Sequence, residues 1–108
     1  MTREISKSDW KHFKVVREAA LQRLCERILK EVSDIANDES KTFHDRHLAA
    51  YKAIKDGDKK VADGFNFLSR SRMAMQLGYL NAQGLLEDTE IANFSGDLQE
   101  YLKSMMDF

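Results

Sequence analysis

Between Thr42 and Gln83 the chain contains no proline, and apolar residues return at helical spacing: Leu48, Tyr51, Ile54, Val61, Phe65, Leu68, Met75 and Tyr79. Steps that are mostly three and four mark one face of a helix rather than a strand. Gly57, within Asp56-Gly57-Asp58, is the weak point. The apolar register of Ile54, Val61 and Phe65 nevertheless stays in phase across it, and a helical glycine costs only about 1 kcal/mol against alanine. The pattern therefore predicts one continuous helix over 42–83. About forty residues at 1.5 Å rise make a rod of roughly 60 Å. One chain of 108 residues does not cover such a rod alone. The expectation is an all-α fold, dimerised through this central helix.

The other helices follow from the same grammar. Ser6 or Ser8 can accept from the free amides of a first turn, so either is a candidate N-cap for a helix over 9–37. Its apolar face is Trp10, Phe13, Val16, Ala20, Leu24, Ile28, Val32 and Ile35, widened by Leu21 and Leu29. That width exceeds a coiled-coil seam and implies that two neighbouring elements share it. Asn37 to Thr42 is rich in short polar residues that compete with helix. The break is short, so the second helix returns antiparallel to the first, with Ser40 or Thr42 as its cap. Gly64 and Gly78 permit close approach of another helix. Gln83-Gly84 ends the central helix, because glycine reaches the left-handed conformation that closes a last turn. Short helices are expected over 88–94, capped by Asp88 or Thr89, and over 96–106. The predicted architecture is one domain, 1–108: an antiparallel long-helix hairpin with short C-terminal helices.

Charge bounds the partners. The net charge of −1 argues against a general polyanion binder, but its distribution is uneven. Residues 1–30 hold eight Lys/Arg against four Asp/Glu, whereas 87–108 hold one against six. The expectation is that the acidic end packs near the basic end. No run of eighteen apolar residues predicts a membrane span. The first nine residues lack an apolar core, so no secretory signal is expected. With a single Cys25, the cytoplasm is the expected compartment.

Side chains able to carry chemistry are few. His44 and His47 share a helix face, but in a hairpin turning near residue 40 His12 falls near residue 68, away from both. Three zinc ligands do not assemble within one chain. Cys25 falls near position 55, without a histidine to activate it, and reads as a buried inert thiol. Gly57, Gly64 and Gly78 lack phosphate-loop spacing. No catalytic residue, metal or cofactor is expected, and the chain does not read as an enzyme. Ser69-Arg70-Ser71-Arg72 is a basic cluster in the central helix, and Arg23, Arg27 and Lys30 form a stripe on the first. Arg23, Arg27, Arg70 and Arg72 are the expected partner-binding residues.

Ala20-Leu21-Gln22-Arg23, followed by Ile28, Leu29 and Val32, is similar to the Ala-Tyr-Gln-Arg stretch of the fluorescence recovery proteins, small helical dimers of cyanobacteria. Val61, Asp63-Gly64 and Phe65 resemble a segment of that family's long helix. Gly84-Leu85, then Glu90-Ile91 and Phe94, resemble its turn into the C-terminal region. Together these span most of 20–94. The family's Trp-x-x-His-Asp segment falls near Leu48, Tyr51 and Lys52, which do not match it. The resemblance implies a dimeric, non-enzymatic fold that binds a partner protein. In the family that partner is a carotenoid-carrying photoprotective protein.

The functional expectation is a non-catalytic helical homodimer acting as a protein-binding regulator or adaptor. The alternative is a small nucleic-acid-associated factor using basic residues of the first two helices. The expected dimer seam runs along Tyr51, Asp58, Val61, Phe65, Leu68, Arg72 and Tyr79. In an antiparallel pair centred on Phe65, Asp58 faces Arg72 of the second copy and Tyr51 faces Tyr79.

Overall fold

The computed structural model describes residues 5–66 and 68–106, and among them every regular element is helical. Helix α1 spans Lys7–Ala36 and α2 spans Phe43–Phe65. A 3₁₀ turn at Arg70–Arg72 leads into α3, Met73–Ala82, followed by α4, Asp88–Ala92, and α5, Gly96–Met106. No helix among the described residues is long and apolar enough to cross a membrane.

Caps set the first two helices. Ser6, not Ser8, accepts from Asp9 N at 3.0 Å. Thr42 accepts from Asp45 N at 3.0 Å. Between them the Asp38 carboxylate accepts from Ser40 Oγ at 2.6 Å and Ser40 N at 3.1 Å, closing the turn. Those two bonds, the hydroxyl's first, hold the Asp38 carboxyl below its ordinary range. Three contacts then fix the hairpin. Arg46 Nη1 donates to Ala36 O, Gly57 lies against Ile28, and Arg17 Nη2 donates to Phe65 O. Position numbers fall along α1 as they rise along α2, which is the antiparallel return that the short turn predicts.

Helix α2 is continuous through Gly57. The glycine serves packing: a Cβ there would lie 2.8–2.9 Å from three side-chain atoms of Ile28. The expectation of one helix over 42–83 is corrected, because α2 ends at Phe65. Asn66 turns extended, with ψ 148°. The freed carbonyls find side-chain donors: Arg17 takes Phe65 O, and Gln76 Nε2 takes Asn66 O at 3.0 Å. Helix ends need such partners when they are not left to water. The bend lets α3 pack on the end of α2, where Gly64 sits beneath the Tyr79 ring. Gly78 admits the Met105 side chain of α5 in the same way.

Helix α3 ends as the glycine predicts. Gly84 has φ +68°, Leu85 N donates to Leu80 O, and Gly84 N donates to Asn81 O, both at 3.0 Å. This is a Schellman closure, and its two leucines pack in one cluster, as such motifs favour. Helix α4 is capped at Glu87 rather than Asp88 or Thr89, and ends at Ala92 rather than 94. Glu87 N donates to the Glu90 carboxylate at 2.9 Å. Ser95 precedes α5 and is held from α1: its N and Oγ donate to Asp9 Oδ1 and Oδ2 at 2.8 and 2.6 Å.

The core lies at one end of an elongated molecule of 54 × 26 × 24 Å. One cluster joins Phe13 and Val16 of α1 to Met73 and Leu77 of α3 and to Phe94, Leu98 and Leu102. A second joins Ala20 and Leu24 to Phe65, Leu80 and Leu85. Trp10 stacks on Phe13 at the edge of the first cluster, half-buried, and Leu68 is exposed. The wide apolar face of α1 is shared as expected. Its first half meets α3–α5 and its second half meets α2.

Candidate protein-binding surface

Beyond Leu24 the two long helices leave the core together as an arm. From residue 25 to residue 52 no residue is buried. The helices cover each other only in part: Ile28, Val32 and Ile35 of α1 and Ala50 of α2 are half-buried. Large apolar side chains remain in solvent. Phe43 is 83 % exposed, Leu29 63 %, Tyr51 61 %, Leu48 51 % and Ile54 39 %.

Three of these, Phe43, Tyr51 and Ile54, fall together on α2, with Leu48 about 60° beyond Tyr51. At 100° per residue, Phe43, His47, Tyr51, Ile54, Asp58 and Val61 fall within about 80° of one another around α2. Ala53 and Gly57, buried against α1, mark the adjacent side. The result is a stripe along one flank of the arm, apolar but for His47 and Asp58. Arg46 stands over the Phe43 ring at 4.8 Å and Lys55 over Tyr51 at 5.7 Å. The far side is charged. There Lys52 Nζ donates to Asp56 Oδ2 at 2.9 Å, a bond that raises the lysine's proton affinity and lowers the carboxyl's.

The expected seam meets this surface in part. Tyr51, Asp58 and Val61 lie on the α2 stripe, and Leu68 is exposed beyond it. Phe65 is only 6 % exposed, packed in the second core cluster with Arg17 over its ring. It does not stand ready to meet itself across a two-fold axis. Arg72 belongs to the 3₁₀ turn, and Tyr79 packs over Gly64. A straight seam from residue 51 to 79 therefore does not exist in the chain, and the facing of Asp58 with Arg72 loses its geometric basis.

The expected partner-binding arginines are largely engaged within the chain. Arg23 Nη1 donates to Leu85 O at 2.7 Å and to Glu90 Oε1 at 2.6 Å, while Nη2 reaches Glu90 Oε2 at 3.0 Å. Glu87 lies 3.4 Å away. One turn on, Arg27 donates to Gln83 O at 2.7 Å and Gly84 O at 2.6 Å. Both guanidinium groups thus close the C-terminal turn of α3, where carbonyls face outward without helical partners. Arg70 Nη2 donates to Ile5 O at 2.8 Å. The basic and acidic ends do meet, through Arg23 with Glu87 and Glu90. Burial pushes the Glu90 carboxyl up, but the bond from Arg23, the Glu87 amide and nearby positive charge outweigh it and hold it below its ordinary value. The Glu90 bond raises Arg23 in turn.

His12 Nε2 bonds Glu90 O at 2.9 Å and its ring tilts against Phe94, so it belongs to α4 rather than to residue 68. His44 and His47 are exposed at the far end of the hairpin. Among the described residues no three His, Cys, Asp or Glu side chains gather as a metal would require. Cys25 is half-buried rather than buried, on the floor of an open groove with Gln22, Glu26, Leu29 and Lys30. Comparison of the chain with protein-family models, curated proteins and solved structures finds no match.

Proposed function

We propose that this chain is a non-catalytic helical adaptor that assembles with itself through the arm and binds another protein as a regulator. The observation that carries this reading is the arm itself. From 25 to 52 two well-formed helical segments and the turn between them bury no residue while holding Leu29, Phe43, Leu48 and Tyr51 in water. Most helical stability in proteins comes from packing of an apolar face. Contiguous exposed apolar surface marks an interaction site. The fluorescence recovery resemblance implies the same class of molecule.

The test is sedimentation of the chain across a wide concentration range, beside a variant carrying Leu48→Ser and Tyr51→Ser. A dimer for the parent and a monomer of equal helicity for the variant support the reading. A parent that stays monomeric at every concentration refutes the self-assembly. The same pair then serves as bait in the source cell. A partner held by the parent and lost by the variant places the partner on the arm, and a partner held equally by both removes it from there.

A further inference from the structure

The stripe on α2 has an internal symmetry that names its occupant. His47, Tyr51, Ile54 and Asp58 are spaced four, three and four apart. That spacing reads the same in both directions about the point midway between Tyr51 and Ile54. All four side chains are exposed. Neither His47 nor Asp58 has a hydrogen-bonding or ion-pair partner among the described residues.

We infer that the occupant is a second copy of this chain, with the two α2 helices antiparallel about a two-fold axis between Tyr51 and Ile54. The inference rests on the self-assembly proposed above and assigns its register. An isologous interface needs a patch that complements itself when reversed. In this register Tyr51 of each copy packs on Ile54 of the other. His47 faces Asp58, so an imidazole N–H meets a carboxylate, once on each side of the axis. The apolar pairs sit at the centre and the polar pairs outside them, as in interfaces with a dry middle and a wet rim.

Charge complementarity selects this occupant and this direction. A parallel pair would set Asp58 against Asp58, and like charges directly opposed are costly. The register uses α2 alone, so it does not depend on the bend after Phe65. It needs nothing from Phe65, which the chain already buries. Gly57 keeps α1 close behind the same stretch of α2, giving it a backing helix.

The test is a charge exchange read by sedimentation equilibrium on the full chain. His47→Glu places two carboxylates together on each side of the axis. It should weaken the dimer by about ten-fold or more, in line with the effect of charge pairs at interfaces. Asp58→Lys removes the acceptor and should also weaken it. The double variant restores an opposite-charge pair in reversed order and should return to within about three-fold of the parent. Arg72→Asp, which would disrupt a seam running on past Phe65, should leave association unchanged. Circular dichroism of each variant checks that helicity is kept, as both side chains are exposed. A dimer that neither single variant weakens, or a double variant no better than the singles, overturns this register while self-assembly stands. A parent that is monomeric throughout overturns both.

Discussion

Gly57 offers a perturbation whose sign depends on one neighbour. Alanine in place of a helical glycine gains about 1 kcal/mol in an open site. Here the new methyl would lie 2.8–2.9 Å from Ile28 Cδ1, Cγ1 and Cγ2. Carbon atoms prefer about 3.5–4.0 Å. Cγ1 and Cγ2 are both fixed to the β-carbon, and a β-branched side chain in a helix has essentially one χ1 rotamer. Ile28 therefore cannot turn both branches away, and α1 and α2 must part. Overpacking of this kind costs about 1–3 kcal/mol. Gly57→Ala should destabilise the protein by about 1 kcal/mol net. In an Ile28→Ala background the clash is gone, and the same substitution should stabilise by about 1 kcal/mol. The coupling of about 2 kcal/mol falls within the range for residues in contact. Urea unfolding followed by helical circular dichroism, at one fixed protein concentration, measures all four variants. Gly57→Ala acting with the same sign in both backgrounds would refute the claim that close helix approach is why glycine stands there.

Arg23→Ala strips charge-assisted bonds from Glu90 and Leu85 O and should cost about 2–3 kcal/mol in thermal or urea unfolding. Lysine at that position should recover less than half, because it lacks the planar fork. Glu90 has a folded value below its ordinary 4.5, so its contribution is full above that value and is lost as pH falls through the folded one. Acid unfolding of Glu90→Gln should lack that part of the slope, and a curve parallel to the parent's would contradict the assignment. Gly84→Ala should cost about 1–2 kcal/mol, the price of a β-carbon in the left-handed region, with asparagine costing less. Phe13→Ala should cost about 3–5 kcal/mol, whereas Leu48→Ala should leave monomer stability within about 0.5 kcal/mol; equal losses would mean the arm is part of the core.

Local grammar made much of the fold legible. Thr42 caps the helix it was expected to cap, Gly84 closes the last turn of α3, and Gly64 and Gly78 admit a neighbour. Each of these is a statement about one residue and the few around it. The end of α2 is a different kind of event. Periodicity runs on past Phe65 through Leu68, Met75 and Tyr79, yet Leu68 and Met75 are exposed, and the residues of α3 that enter the core are Met73, Leu77 and Leu80. What permits the break is that Arg17, 48 positions earlier, reaches Phe65 O, and Gln76 reaches Asn66 O from the next helix. Without those donors the same polar residues, Asn66 and Ser69, are tolerable inside a helix. A pattern of spacings carries no sign of a distant donor.

The arginines show the same limit from the side of function. On a helical wheel Arg23 and Arg27 fall beside Val16 and Ala20, at one edge of the apolar face, and α1 alone does not say what they meet. Yet α3 ends beside them with carbonyls that no helical amide can take, and guanidinium groups are suited to that place. Their signature in sequence was the pairing of two arginines one turn apart with a glycine-closed turn elsewhere, which only the fold brings together. With both guanidinium groups engaged at the end of α3, the functional question shifts to the arm, whose stripe was half visible in Tyr51, Asp58 and Val61. Two helices can each hide only the side turned to the other. From 25 to 52 that side is held by Ile28, Val32, Ile35 and Ala50 at half burial, and the apolar flank beside it faces no third element among the described residues. In the register proposed above, the antiparallel α2 of a second copy would cover that flank, presenting the complementary order of side chains.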